Sequence, residues 1–124
     1  MHVPVSILLV DDSDLIASRV SELFHGLPDF RLLTVKDIES AKAELGSLKP
    51  DVVLLDISLN GSNGIDLLKF INESGNGMPV IMLTNQVTRK HRELCIQLGC
   101  YAFLDKTTEF EKIIPLVSEL LYQR

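Results

Sequence analysis

The apolar positions of this chain fall into five short, nearly unbroken runs, each followed by a stretch with helical spacing. The runs are residues 5–10, 30–35, 51–56, 78–84 and 100–104. Apolar runs of this length, bounded by turn residues, predict strands buried on both faces, as in a parallel sheet covered by helices. The second run is the weakest, because Arg31 interrupts it and Lys36 flanks it. In the fourth, Pro79 is tolerable only at the beginning of a strand.

The intervening stretches predict five helices. Ser13 is the expected N-cap of the first, with Asp14 at its positive end. Leu15, Ile16, Val20, Leu23, Phe24 and Leu27 form its apolar stripe, and Gly26 and Pro28-Asp29 close it. Asp37 starts a second helix carrying Ile38, Ala41, Leu45 and Leu48, with Gly46 near its end and Pro50 as its stop. A polar loop from Ile57 to Asn63, turning at Asn60-Gly61, leads through Gly64 into a third helix on Ile65, Leu67, Leu68 and Ile71, which Gly75-Asn76-Gly77 ends. Thr88 to Leu98 reads as the fourth, with Gly99 as its C′ residue. Thr108-Glu109-Phe110-Glu111 reads as a capping box for the fifth. Its face is Phe110, Ile113, Ile114, Val117, Leu120 and Leu121, and Pro115 is expected to kink or break it. Five strand–helix units in alternation predict an α/β fold with one parallel sheet, doubly wound by helices, in a single domain spanning residues 1–124. Right-handed crossovers place all five strand ends on one edge.

Composition narrows the function classes. The hydrophobic fraction of 46% over 124 residues supports a full core. A net charge of −5 argues against nucleic acid as a direct partner, which would require clustered Lys and Arg. Cys95 and Cys100 form no C-x-x-C pair, and His2, His25 and His91 are scattered, so neither a disulfide scaffold nor a zinc site is expected. The two cysteines are expected as small buried hydrophobes. No stretch reaches the ~18 apolar residues of a membrane span, and there is no signal-peptide pattern. A reducing, cytoplasmic location is the expectation.

The candidate chemistry lies at the strand ends, where ligands collect in open α/β sheets. The five ends bring Asp11-Asp12, Val35, Asp56, Thr84 and Lys106 to one rim. Two like charges ~4 Å apart repel by ~4 kcal/mol at an effective dielectric of 20, so three acids in one pocket call for a cation. Oxygen donors with high negative charge suit Mg²⁺ or Mn²⁺, which bind phosphate alongside. Asp56 is the candidate nucleophile, which would form an acyl phosphate. Lys106 and Thr84 would neutralise and hydrogen-bond the transferring oxygens.

These residues carry a resemblance. Leu8-Leu9-Val10-Asp11-Asp12, Val53-Leu54-Leu55-Asp56-Ile57, Gly64, Ile81-Met82-Leu83-Thr84, Gly99 and Phe103-Leu104-Asp105-Lys106 follow in order, and together they resemble the receiver domain of two-component response regulators. The resemblance implies a flavodoxin-like fold with a five-stranded parallel sheet. It implies that Asp56 accepts phosphate from a histidine kinase or histidine phosphotransfer protein, with self-catalysed transfer and slow loss by hydrolysis. Asp11, Asp12, Asp56 and the backbone carbonyl of Ser58 would hold Mg²⁺. Lys106 would pair with the phosphoryl oxygens, Thr84 would swing to bond one of them, and Phe103 would be the switch aromatic. Ser58 and Gln86 occupy the positions that tune phosphate lifetime. The fourth helix, fifth strand and fifth helix would form the output face toward a downstream protein, in a monomer or a weak phosphorylation-linked dimer. The basic cluster Arg89-Lys90-His91-Arg92 is then either a solvated face or part of that docking surface. The chain departs from the family pattern at Asn60 and at Thr107, where Pro is usual, and at Asn85, where Ala or Gly is usual.

Two rivals follow from the same residues. One is an interaction module of receiver fold that works without phosphate, suggested by Asn85 and Thr107. The other is a Mg²⁺-dependent phosphohydrolase, disfavoured because Ser58 stands where such enzymes place a second Asp and because there is no room for a cap domain. No output domain is visible in these residues, so the expectation is either a stand-alone receiver or one cut from a longer regulator.

Overall fold

In the computed structural model, residues 4–59, 61–75, 77–85 and 88–122 are described, the last two by backbone alone. The expectations for His2, Asn60, Asn76 and Gln86, and for the side chain of Leu121, lie outside the described residues. Five strands alternate with five helices. These are β1 (Val5–Val10), α1 (Asp14–Phe24), β2 (Phe30–Val35), α2 (Ile38–Ser47), β3 (Val52–Leu55), α3 (Gly64–Glu73), β4 (Val80–Thr84), α4 (Arg89–Gln97), β5 (Ala102–Asp105) and α5 (Ile113–Tyr122). The strands pair in parallel in the order β2-β1-β3-β4-β5, which is the flavodoxin-like arrangement.

Alternate residues of each strand enter two separate cores. Leu8, Val10, Val53, Leu55, Met82 and Phe103 pack with side chains of α2, α3 and α4. Ile7, Leu9, Leu54, Ile81, Leu83 and Leu104 pack with α1 and α5. Burial on both faces is why the strands read as continuous apolar runs rather than as alternating ones. Cys95 is buried in the first core, as expected, and burial pushes its thiol up to about 11. Among the described residues, no helix is long and apolar enough to cross a membrane.

The helix starts follow the sequence. The side chains of Ser13, Asp37 and Thr88 accept N–H bonds from Ile16, Ser40 and His91. Ser13→Ala is expected to lower stability by about 1 kcal/mol, read as a fall of roughly 4 °C in the thermal midpoint. An unchanged midpoint would show that the Ser13 cap contributes nothing. α4 ends as predicted at Gly99, whose φ is +92°. There the amides of Gly99 and Cys100 bond back to the carbonyls of Ile96 and Cys95. This bonding holds Cys100 in the helix cap, and β5 therefore begins at Ala102 rather than at Cys100.

Two local expectations are corrected. The stretch after Asp56 is not merely a polar loop: Ser58–Leu59 and Ser62–Asn63 form a small antiparallel hairpin, with Ile57 and Leu59 buried. Gly46 lies near the end of α2, as expected, and Lys49, at φ 50°, takes the left-handed position before Pro50. The expected capping box is absent, and a single 3₁₀ turn over Phe110–Lys112 precedes α5. Asp105 captures the amides instead: its Oδ1 accepts from Thr107 at 2.7 Å and from Thr108 at 3.4 Å. Glu109 turns back to accept the Asp105 N–H at 3.1 Å. The break expected at Pro115 falls just ahead of it, which leaves Pro115 in the first turn of α5, where its missing N–H has no intrahelical role.

Candidate functional site

The sheet ladder itself seats the acids and the lysine. Beyond the ends of the assigned strands, Asp11 N–H donates to the Val35 carbonyl at 3.0 Å. Asp56 N–H donates to Val10 at 3.1 Å, and Lys106 N–H to Thr84 at 3.1 Å. Asp11, Asp56 and Lys106 are therefore each the next rung after their strands, and the parallel order brings the rungs to one rim.

Among the described residues, the buried polar or charged side chains are Asp11, Asp56, Thr84 and Lys106. The Lys106 Nζ lies 2.6 Å from Asp11 Oδ2 and 2.9 Å from Asp56 Oδ2. The second oxygen of each acid turns to backbone: Ser13 N–H donates to Asp11 Oδ1 at 2.9 Å and Ser58 N–H to Asp56 Oδ1 at 3.4 Å. Burial pushes the Asp11 carboxyl above the ordinary carboxylate value, with Lys106 and the Ser13 amide opposing it. Burial also works against the Lys106 charge, but the adjacent carboxylates of Asp11 and Asp56 outweigh it and hold the ammonium above the ordinary lysine value.

Oxygens of Asp11, Asp12 and Asp56 come within 4.8 Å of one another. One ammonium does not balance three carboxylates, of which Asp11 and Asp56 are buried and Asp12 reaches solvent. Asp11 Oδ2, although beside the ammonium, sits outside hydrogen-bonding geometry. A hard divalent cation with oxygen ligands fits that donor set.

The remaining predicted residues take different places. Thr84 is fully buried at the end of β4, opposite Asp105 in register. Ser58 stands in the hairpin beside Asp56, paired with Asn63. Phe103 points inward at 5% exposure, with the Arg92 guanidinium 5.0 Å from its ring centroid. Arg92 also donates to the Phe103 carbonyl at 3.4 Å and lies 3.9 Å from Glu109. The basic cluster is therefore split: Arg89 pairs with Glu93 in solvent, while Arg92 folds onto β5. The tie of Arg92 to Phe103 was not readable from the cluster, since only the position of the ring distinguishes it from its neighbours. The departures at positions 85 and 107 meet each other, with the Thr107 hydroxyl donating to Asn85 Oδ1 at 3.3 Å. There is no cis peptide bond among the described residues.

Gly64 is a further site residue whose role the sequence did not reveal. Its amide donates to the Ile57 carbonyl at 2.6 Å, and a Cβ there would lie 1.9 Å from the Asp56 carbonyl oxygen. The start of α3 thus presses directly against the backbone of Asp56.

Residues 7–118 match the response regulator receiver domain family. The chain is 34% identical over 115 residues to the transcriptional regulatory protein CpxR of Klebsiella pneumoniae, covering 93% of this chain and 48% of that protein. It is 33% identical over 106 residues to the protein-glutamate methylesterase/protein-glutamine glutaminase of Bacillus subtilis, covering 82% and 29%. The chain thus spans about half, or less, of the length of these curated relatives. Among solved structures, NtrX from Brucella abortus superposes with a TM-score of 0.85 at 28% identity, over 98% of this chain and 27% of that one. The Mn²⁺-bound form of response regulator Rcp1 superposes with a TM-score of 0.78 at 25% identity, over 94% and 91%.

Proposed function

The chain belongs to the response regulator receiver domain family, and from that premise we propose that it is a phosphorylation-dependent signalling switch with Asp56 as phosphoacceptor. The observation that carries this reading is the buried Asp56 carboxylate, 2.9 Å from the Lys106 ammonium and grouped with Asp11 and Asp12. The donor would be a phosphohistidine of a sensor kinase or phosphotransfer protein. One Asp56 carboxylate oxygen attacks phosphorus in line with the P–N bond. A P–O bond forms as the P–N bond breaks, and the imidazole nitrogen leaves and takes a proton from solvent. The product is an acyl phosphate on Asp56.

Each neighbour has a role in this scheme. Asp11, Asp12, Asp56 and the Ser58 carbonyl would hold Mg²⁺ or Mn²⁺, and the related Rcp1 is known in a Mn²⁺-bound form. When bound, the ion supplies charge neutralisation for the phosphoryl oxygens. Lys106 exchanges its carboxylate partner for a phosphoryl oxygen, which needs little displacement because its Nζ already lies between two acids. Thr84 donates its hydroxyl to another oxygen. Its movement biases the Phe103 ring and with it the face of α4, β5 and α5, where a downstream protein would bind. Ser58 and Gln86 would tune the lifetime of the phosphoryl group.

The test is incubation with Mg²⁺ and a small phosphoramidate donor, followed by intact-mass measurement. The wild-type chain gains one phosphoryl group and Asp56→Asn gains none. Equal gain in both would move the acceptor elsewhere. No gain in the wild type, together with partner binding that Asp56→Asn retains, would establish the phosphate-independent module, the reading suggested by Asn85 and Thr107 as departures from the family pattern.

A further inference from the structure

The end of the β4–β5 pair carries one bond more than the sheet requires. Among the described residues, the last backbone rung is Lys106 N–H to Thr84 carbonyl. One residue further along both chains, the Thr107 hydroxyl donates to Asn85 Oδ1 at 3.3 Å. The ladder is thus continued by side chains across the two loops that follow Thr84 and Lys106. On its other side, Thr107 is fixed by its amide, which donates to Asp105 Oδ1 at 2.7 Å. A proline at position 107 could make neither bond, having no N–H and no hydroxyl.

Lys106 is the residue that this arrangement constrains. Its side chain is long and has many rotamers, yet its Nζ must stay between Asp11 and Asp56. Its backbone is held before it by Asp105 in β5 and after it by Thr107. If the Thr107 bond to Asn85 is lost, the Asp105 contacts are what remains, among the described residues, to fix the turn on that side. We infer that the Asn85–Thr107 hydrogen bond is a positioning clasp, which sets the aim of Lys106 at Asp56 and so the rate of phosphoryl uptake. The second half of this inference rests on the phosphoacceptor reading above; the first half does not.

The clasp is tested with Thr107→Val, which keeps the shape and removes the hydroxyl, Thr107→Ser, which restores it, Asn85→Ala, and the Asn85→Ala/Thr107→Val pair. Both positions are exposed, so thermal midpoints should stay within about 2 °C of wild type. The first measurement is the side-chain ¹⁵N resonance of the Lys106 ammonium, with no phosphodonor present. Thr107→Val and Asn85→Ala should move it to the same new position, the pair should move it no further, and Thr107→Ser should leave it in place. The second is the rate of phosphoryl uptake from a small phosphoramidate with Mg²⁺. Each single variant except Thr107→Ser should be about three- to ten-fold slower, the range expected for one hydrogen bond, and the pair no slower than either.

An unmoved resonance in Thr107→Val, or slowing in the pair equal to the product of the singles, would overturn the clasp. So would faster uptake in Asn85→Ala, which would make Asn85 a steric screen. A wild-type chain that takes up no phosphate would remove the phosphoacceptor reading, while the Lys106 resonance would still decide whether the clasp aims the ammonium.

Discussion

Lys106→Met should lower the stability of the metal-free protein by about 3–5 kcal/mol, the cost of removing one partner from a buried ionic cluster. The side chain of Lys106 is 6% exposed, and its ammonium touches both Asp11 and Asp56. Methionine fills a similar volume, so the loss reflects charge rather than a cavity. Two carboxylates are left facing each other with a third nearby, and Mg²⁺ should then restore more stability to the variant than it adds to the wild type. Chemical denaturation with and without Mg²⁺ measures both effects. A variant as stable as wild type, or one indifferent to Mg²⁺, would show that the three acids do not act as one electrostatic unit.

The pH dependence of that loss has a definite sign. The Lys106 ammonium is held above its ordinary value, chiefly through Asp11 and Asp56 acting against burial. Its contribution is therefore complete below the unfolded lysine value of ~10.4 and disappears only as pH rises through the higher folded value. Asp11 is shifted upward by burial, so its folded form gains stability when protonated. The gap between wild type and Lys106→Met should thus be widest from neutrality to mildly alkaline pH. It should narrow as pH falls through the raised Asp11 value toward the unfolded aspartate value of ~3.9.

The parts of this site that were legible in the sequence are those dictated by the sheet. A strand buried on both faces leaves an uninterrupted apolar run, so the acids after Val10 and Leu55 stood out, and parallel topology placed them together. Lys106 was visible for the same reason, through Asp105-Lys106 closing the fifth run. The parts that were hidden depend on competition between equivalent partners. Thr108 and Glu109 have the spacing of a capping box, but Asp105 reaches the Thr107 and Thr108 amides first, and Glu109 serves the Asp105 N–H. Ile57 and Leu59 lie among polar residues in a stretch too short to show a period, yet both are buried in the core that faces α2, α3 and α4. Asn85 and Thr107 stood out as separate departures from the receiver pattern, and nothing in the sequence shows that the two side chains meet.

Gly64→Ala is expected to destabilise the protein by at least about 3 kcal/mol, at the upper end of the range for forcing atoms into a packed site. Inside a helix, Gly→Ala ordinarily stabilises by roughly 1 kcal/mol, because alanine loses less backbone freedom on folding. Gly46 supplies that comparison within this chain. It lies within α2, a Cβ there meets nothing within 4 Å, and Gly46→Ala should raise stability by about 0.5–1 kcal/mol. At Gly64 the added methyl would meet the Asp56 carbonyl oxygen at 1.9 Å, the Asp56 carbonyl carbon at 2.9 Å and the Ile57 Cα at 3.2 Å. All three are backbone atoms, so no side-chain rotation can relieve the contact. Either the start of α3 lifts away, losing the 2.6 Å bond from Gly64 N–H to the Ile57 carbonyl, or the Asp56–Ile57 segment shifts and carries the Asp56 carboxylate with it. Both displacements disturb the three-acid cluster, so Mg²⁺ affinity should fall along with stability. Denaturation midpoints of the two glycine variants, with Mg²⁺ titrations of each, separate the cases. Opposite signs at positions 46 and 64 are expected, and a Gly64→Ala protein with wild-type stability and wild-type Mg²⁺ affinity would show that the close approach of α3 to Asp56 is not needed to hold the site.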